Sequence, residues 1–204
     1  MLKEKISHLA NLIYDDVVKS RHHLHANPEL SFHEYQTVAF VASKLDELGI
    51  PHQQMANTGL VALIKGEKPS EAVVALRADM DALPIVEKNT VPYKSKIAGV
   101  MHACGHDVHT SSLLGTAKIL SELKSEFAGT VKLIFQPGEE KLPGGASLMI
   151  KEGVLENPKP QAIIGQHVMP LIETGKVGFR TGKYMASADE IYVTQHNHIK
   201  ILIP

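Results

Sequence analysis

Short apolar runs alternate with amphipathic segments along this chain, and that alternation limits the folds it can adopt. The apolar runs are rich in β-branched residues, which is typical of buried strands, whereas the segments between them repeat their apolar residues with helical spacing. The predicted strands are residues 59–65, 72–81, 130–136 and 161–169, with further candidates at 175–180 and 190–194. The predicted helices are residues 1–20, 34–49, 111–125 and 146–152.

This order of elements predicts an α/β fold in which an open, mostly parallel sheet is sandwiched by helices. Ligands of such sheets bind at the carboxyl ends of the strands. Polar residues lie at three of the predicted strand ends: Asp79 and Asp81 at one, Glu139 and Glu140 at the next, and His167 near a third. We therefore expect the functional site at this edge of the sheet.

Composition excludes several classes of function. The 204 residues suffice for one domain with a substantial core. A formal net charge of −1 without a basic block argues against a nucleic-acid partner, and no apolar run is long enough to span a membrane. The one cysteine, Cys104, cannot form a disulfide within the chain, and the first twenty residues lack the pattern of a signal peptide. A cytoplasmic location is therefore predicted.

Histidine is unevenly distributed: several of the 12 fall in HHLH (22–25) and HACGHDVH (102–109). Imidazole and thiolate together suit zinc and similar divalent ions. Cys104 and His106 precede a predicted helix, whose N-terminal dipole is expected to favour a thiolate. Two alternatives stay open here, a buried cysteine beside a capping histidine and a Cys–His nucleophile pair.

The adjacent carboxylates of Glu139 and Glu140 follow a strand that stops at Pro137. Adjacent residues beyond a strand end point in different directions, so one carboxylate can bind a metal ion while the other acts as a general base. A solvated acidic turn is the structural alternative.

The strand that ends in RADMD carries three charged residues on one face, because Arg77, Asp79 and Asp81 are spaced by two. Such charges are costly on a core strand unless they are paired or bound to metal, so a structural Arg–Asp pair is the alternative. His167 lies in an otherwise apolar strand, where a histidine is more often a satisfied core residue than a ligand. All these structural explanations would have to hold at once, so the clusters together favour a metal site.

Five segments resemble the amidohydrolase branch of metallopeptidase family M20, which contains N-acyl-amino-acid amidohydrolases, hippurate hydrolases and plant auxin-conjugate hydrolases. The resemblance extends from about residue 5 to about residue 194, and HACGHD together with QPxEE is highly specific for this branch. The segments are RHHLHANPELSFHE (21–34), RADMDALPI (77–85), MHACGHDVHT (101–110), FQPGEE (135–140) and GQHV around His167.

The resemblance implies a zinc-exopeptidase-like fold with a site for two divalent metal ions. Manganese and zinc are the first candidates, with cobalt and nickel as further options. A cysteine thiolate would bridge the two ions. The ligands implied by the resemblance are Cys104, His106, Glu140 and His167.

The resemblance also implies the reaction, hydrolysis of the amide bond of a small N-acyl amino acid or related amide by a metal-activated water. Glu139 would be the general base, and Asp81 would orient a metal ligand from behind. Asp79 and Asp107 also match the family's motifs and would have supporting roles.

Family members are about twice as long as this chain. By resemblance, residues 1–194 are the N-terminal part of the metal-binding catalytic domain, and the tail at 195–204 does not match the family. Full-length relatives dimerise through a lid domain, and that domain is missing here. One further histidine ligand is missing as well, and neither His196 nor His198 matches its context. A non-catalytic or partner-dependent metal-binding fragment is therefore a second hypothesis.

Overall fold

The structure, a computed structural model, describes residues 1–183. Residues 1–168 form one unit, and residues 169–183, the described part of a second unit, contain no helix or strand. The helices of the described chain are α1 (Leu2–Leu12), α2 (Tyr14–Ala26), α3 (Tyr35–Glu47), α4 (His106–Glu122) and α5 (Gly145–Lys151). Its strands are β1 (His52–Met55), β2 (Gly59–Lys65), β3 (Lys68–Asp79), β4 (Ala128–Gln136) and β5 (Ala162–Gly165).

The described strands form one sheet in the order β1-β2-β4-β3-β5. β3 is parallel to β4 and β5, whereas β2 is antiparallel to β1 and β4. The predicted α/β sandwich is confirmed, but the sheet is mixed rather than mostly parallel. The reason is local, because residues 56–58 between β1 and β2 and residues 66–67 between β2 and β3 are too few for the crossover that parallel strands require, so β2 runs opposite to both β1 and β3.

Strand β4 packs against both helical layers because its side chains alternate between the faces of the sheet. Leu133 and Phe135 are fully buried in the cluster that includes Leu45 of α3. Ile134 points the other way and packs with Met149 of α5. The helices thus cover both faces of the sheet around a fixed central strand.

Two boundaries near the predicted site differ from the prediction. Helix α4 begins at His106 rather than at residue 111, because Gly105, with φ +90°, forms a left-handed turn that starts the helix there. A Cβ on Gly105 would also lie 2.3 Å from Cγ2 of Val168, so only glycine fits. Strand β5 ends at Gly165, which places His167 beyond the strand rather than inside it.

Away from the site, the first predicted helix is divided at Ile13 into α1 and α2. The strand predicted at 175–180 is wrong, since these residues have no regular secondary structure, and the candidate at 190–194 lies outside the described residues. Strand β1 was not predicted because HQQM has no apolar run. None of the helices within residues 1–183 is long and apolar enough to cross a membrane.

The parallel pairing of β3, β4 and β5 brings their carboxyl ends to one edge of the sheet. Asp79 lies opposite Gln136, and Arg77 lies opposite Gly165. The three polar clusters predicted from the sequence therefore leave the sheet at the same edge, as expected.

Candidate metal centre

The four predicted metal ligands converge at this edge. Sγ of Cys104 lies 3.4 Å from Nε2 of His167, and Nε2 of His106 lies 3.7 Å from Oε1 of Glu140. Donor atoms of Cys104, His106 and His167 all lie within 4.8 Å of one another, and so do those of His106, Glu139 and Glu140. Because both groups include His106, they lie side by side in one site.

Asp81 fixes the orientation of the His106 ring from behind. Nδ1 of His106 lies 2.9 Å from the carbonyl oxygen of Asp81 and 3.2 Å from its Oδ1, so this nitrogen donates to Asp81. The opposite nitrogen, Nε2, then faces the predicted ligands. Although burial opposes charge, the Asp81 hydrogen bond and the carboxylate of Asp79 raise the pKa of His106. A cation at Nε2 would compete with a proton for the same lone pair.

Asp79 is held by two cationic or hydrogen-bonding neighbours. Nδ1 of His109 donates to its Oδ1 at 2.6 Å, and Nη1 of Arg77 lies 2.7 Å from its Oδ2. Burial opposes ionisation, but the His109 hydrogen bond and the Arg77 charge lower the pKa of Asp79 to about 2. The Arg–Asp pair considered as a structural alternative is thus present, yet Oδ2 of Asp79 also lies 3.6 Å from Nε2 of His106.

His109 is a residue of this centre whose role is not apparent from the sequence pattern. Its Nδ1 donates to Asp79, and its Nε2 accepts the backbone N–H of Val168 at 2.9 Å. Both ring nitrogens therefore have partners, so His109 connects β3 to the residue after His167 instead of offering a free lone pair. The available signal was its position three residues after His106, on the same face of α4.

His167 lies beyond the sheet, with its ring at the candidate site, and is not a core residue. It is exposed, its Nδ1 lies 2.7 Å from the carbonyl oxygen of Val168, and its Nε2 faces Sγ of Cys104. The alternative of a satisfied core histidine is therefore wrong, because the chain has already left the sheet at Gly165.

The expectation of a thiolate at Cys104 is wrong for the protein without a bound cation. Burial, followed by the carboxylates of Glu140 and Glu139, raises the pKa of Cys104 to about 12. Burial and these negative charges oppose the stabilisation of a thiolate that was expected from the N-terminus of α4. The same environment disfavours a Cys–His nucleophile with His167, because the thiol is not ionised at neutral pH. A coordinated cation reverses this balance, since a thiol that binds a metal ion loses its proton.

Glu139 and Glu140 are not equivalent. The side chain of Glu139 is 39% exposed, with Oε2 at 4.0 Å from Nε2 of His106, whereas that of Glu140 is 22% exposed. Burial, followed by the carboxylates of Glu140 and Asp79, raises the pKa of Glu139. A carboxylate with a raised pKa on the open side of a site suits a group that takes up and releases a proton.

The polar groups at the centre fit a divalent cation. Among the described residues, buried atoms without a hydrogen bond include Nε2 of His106 and Oε1 of Glu140, while Oδ2 of Asp79 faces the Arg77 guanidinium at 2.7 Å. Leaving such groups unpaired costs about 1–3 kcal/mol each, and the two oxygens both lie within 3.7 Å of the imidazole nitrogen. Sulfur, nitrogen and carboxylate donors together are a set that zinc and related ions accept.

Known proteins share this sequence over much of its length. The sequence profile of peptidase family M20/M25/M40 matches residues 75–201. The N-acyl-L-amino acid amidohydrolase of Geobacillus stearothermophilus is 45% identical over 194 residues, which are 95% of this chain and 52% of that protein. The N-acetyl-L-cysteine deacetylase of Bacillus subtilis (strain 168) is 48% identical over 174 residues, which are 85% of this chain and 41% of that protein. The chain thus spans about half the length of these relatives.

A solved structure shares the fold as well. The YXEP protein of Bacillus subtilis, a dinuclear metal-binding peptidase of the M20 family, superposes with a TM-score of 0.73 at 42% identity. The match covers 78% of this chain and 44% of that one. The similarity therefore extends to the arrangement of strands and helices that carries the convergent side chains.

Proposed function

The chain belongs to peptidase family M20/M25/M40, and on that premise we propose that it is the metal-binding part of an amidohydrolase that cleaves small N-acyl amino acids. The single observation that carries this proposal is the convergence of Cys104, His106, Glu140 and His167 beside the partly exposed Glu139. Relatives named as an amidohydrolase and a deacetylase, at 45% and 48% identity, support an enzyme of this class.

We propose that Cys104, His106, Glu140 and His167 bind two divalent ions, with manganese or zinc ahead of cobalt or nickel. The dinuclear site of the YXEP protein supports the number of ions, and the mixed sulfur, nitrogen and oxygen donors support their type. Bound cations supply Lewis acidity, which polarises an amide carbonyl and lowers the pKa of water.

Glu139 carries out the proton transfers in this proposal. Its raised pKa and its exposure allow it to accept a proton from the attacking water and then to deliver that proton to the leaving amine nitrogen. Asp81 does not touch the substrate. It holds Nδ1 of His106 and accepts the backbone N–H of Glu140 at 2.9 Å, so it sets the orientation of two proposed ligands.

The test is a metal count and an activity assay on the same purified chain. We expect two ions per chain, and hydrolysis of N-acetyl-amino acids or hippurate that a chelator abolishes and Mn²⁺ or Zn²⁺ restores. His106→Ala should lose both properties, whereas His8→Ala, on the exposed helix α1, is the matched control. Fewer than two ions per chain, or hydrolysis that a chelator does not reduce, would contradict the proposal.

The same assay separates the non-catalytic hypothesis from this one. An isolated chain that binds two ions without turnover would favour a metal-binding fragment that needs a partner. The domain boundary at 194 and the tail histidines His196 and His198 lie outside the described residues and stay predictions, as does the cytoplasmic location.

A further inference from the structure

Glu34, at the N-cap of α3, has a fully buried carboxylate that the proposed reaction does not use. Its side chain is 0% exposed. Its Oε1 accepts the backbone N–H of Gly138 at 2.7 Å, and its Oε2 accepts the hydroxyl of Thr58 at 2.6 Å. A buried carboxylate is costly unless it is hydrogen-bonded, and one of these bonds reaches the residue directly before Glu139. Glu34 therefore connects two segments that are 104 residues apart.

Phe32 contacts Gly138 from the same segment. A Cβ on Gly138 would lie 2.3 Å from Cε1 of the Phe32 ring, and Gly138 has φ +49°, so this turn requires glycine. Phe32 itself has φ +66°, a conformation that costs an aromatic residue about 1–3 kcal/mol. Such strain persists only where the surrounding contacts impose it, and it concentrates at functional sites.

Ser31 extends these contacts to the other side of the turn. Its hydroxyl donates to Oδ2 of Asp81 at 2.6 Å, and the same oxygen accepts the backbone N–H of Glu140 at 2.9 Å. The 31–34 segment thus holds the turn directly at Gly138 and, through Asp81, at Glu140. Glu139 lies between these two anchored residues.

We propose that the 31–34 segment, acting chiefly through Glu34, is a positioning element that holds the Glu139–Glu140 turn in its working orientation. Its effect on metal binding and turnover rests on the function proposed above, whereas its effect on the turn does not. If the bond from the Gly138 N–H is lost, the turn is still held at Glu140 by Asp81 and at the Gly138 carbonyl by the N–H of Gly145, but Glu139 between these anchors is less constrained and can shift. A displacement of about 1 Å at a catalytic group can cost about 10²-fold in rate.

Three variants separate positioning from ordinary core packing. Glu34→Met fills the same volume but offers no acceptor to Gly138. Glu34→Gln keeps one oxygen for Gly138, and the Thr58 hydroxyl can rotate to accept from the new amide. Thr58→Val is the matched control, because it removes the other partner of the Glu34 carboxylate and leaves the Gly138 bond in place.

The first readout is backbone hydrogen exchange in the peptide that covers residues 136–141, measured without added metal. We expect exchange at least about tenfold faster in Glu34→Met, which corresponds to the loss of about 1.4 kcal/mol of local protection, and within about threefold of wild type in the other two variants. The second readout is Mn²⁺ or Zn²⁺ affinity, which should fall about 10–100-fold in Glu34→Met alone, the usual cost of losing a residue that orients a ligand.

If Glu34→Met does not fold, Glu34→Met/Thr58→Val carries the test, because no buried hydroxyl is then left unpaired. The proposal would be overturned if Glu34→Met, or the double variant in its place, kept wild-type exchange and metal affinity. It would also be overturned if Thr58→Val changed both quantities as much as Glu34→Met does. A wild-type chain that binds no metal would refute the proposed function instead, while the exchange measurement would still report on the turn.

Discussion

Glu139 and Glu140 are neighbours in the chain, and both carboxylates lie near Nε2 of His106, with Oε2 of Glu139 at 4.0 Å and Oε1 of Glu140 at 3.7 Å. Their surroundings differ. Glu140 is the more buried of the two and includes an oxygen without a hydrogen bond, whereas Glu139 is open to solvent. This asymmetry supports the separate roles proposed for the two carboxylates, and each carboxylate can be replaced by an amide in turn.

Glu139→Gln should lower turnover by about 10²–10⁴-fold and leave metal affinity nearly unchanged, because an amide cannot accept the proton of the attacking water. Steady-state kinetics and metal titration on the same preparation measure the two effects. Glu140→Gln is the matched variant and should lose more than about 100-fold in metal affinity, beyond the cost of losing a residue that only orients a ligand. Metal loss in Glu139→Gln with metal retained in Glu140→Gln would show that the roles are reversed.

Asp81→Asn should weaken metal binding by about 10–100-fold, because the carboxylate that fixes the His106 ring and the Glu140 backbone is replaced by a weaker and differently shaped acceptor. Isothermal titration with Mn²⁺ or Zn²⁺ measures this loss. Ser31→Ala is the control, since it removes the hydroxyl donated to Asp81 but keeps the bond to His106, and its effect should be smaller. Equal affinities for wild type and Asp81→Asn would contradict an orienting role.

Alkylation of Cys104 should be slow in the metal-free protein. Because its pKa is raised to about 12, the rate with iodoacetamide should climb steadily from pH 7 to pH 10, and at pH 8 it should be at least about tenfold below that of the unfolded chain, whose thiol has a pKa near 8.5. The unfolded chain in urea provides the reference. A plateau below pH 8 would instead indicate an activated Cys–His pair.

A buried histidine outside the ligand set predicts a pH dependence of stability. Nδ1 of His25 lies 2.8 Å from Oδ2 of Asp107, and this hydrogen bond raises the pKa of His25. Burial opposes the increase, and the hydrogen bond to Glu87 adds to it. A raised folded pKa means that the stabilisation is complete below the unfolded value near 6.5 and is lost as pH rises through the folded value. In chelator, His25→Asn should therefore lower the free energy of unfolding more at pH 5.5 than at pH 9.

Urea unfolding at the two pH values tests this dependence, with His8→Asn on the exposed helix α1 as the control. An equal loss at both pH values would mean that His25 contributes by packing alone. A larger loss at pH 9 would mean that His25 is buried in its neutral form.

Much of the fold follows from local patterns. The apolar runs predicted β2, β3 and β4, and Gly49 marked the end of α3, because burial and helix termination leave their signals within a few residues. The mixed direction of the sheet and the early start of α4 were not predicted. The first depends on the short connection at residues 66–67, which reverses the chain between β2 and β3, and the second on the left-handed turn at Gly105.

The edge that carries the candidate site could be predicted from the sequence because strand ends in an α/β sheet meet there, whereas the choice of Cys104, His106, Glu140 and His167 as ligands is what the resemblance to family M20 implies. The contacts that orient these residues could not be chosen in this way. Glu34 reaches Gly138 across 104 residues, and His109 differs from His106 only in having partners at both ring nitrogens.

The sequence by itself determined the central strands β2, β3 and β4, the helices that alternate with them and the chemical groups that follow the strand ends, since side-chain period and residue type are local properties. Only the tertiary structure decided which ring nitrogen of His106 lacks a partner, that the Cys104 thiol keeps its proton without a cation, and which of two adjacent glutamates is open to solvent. These properties depend on burial and on charges from segments distant in the sequence, and the spacing of neighbouring residues does not predict either of them.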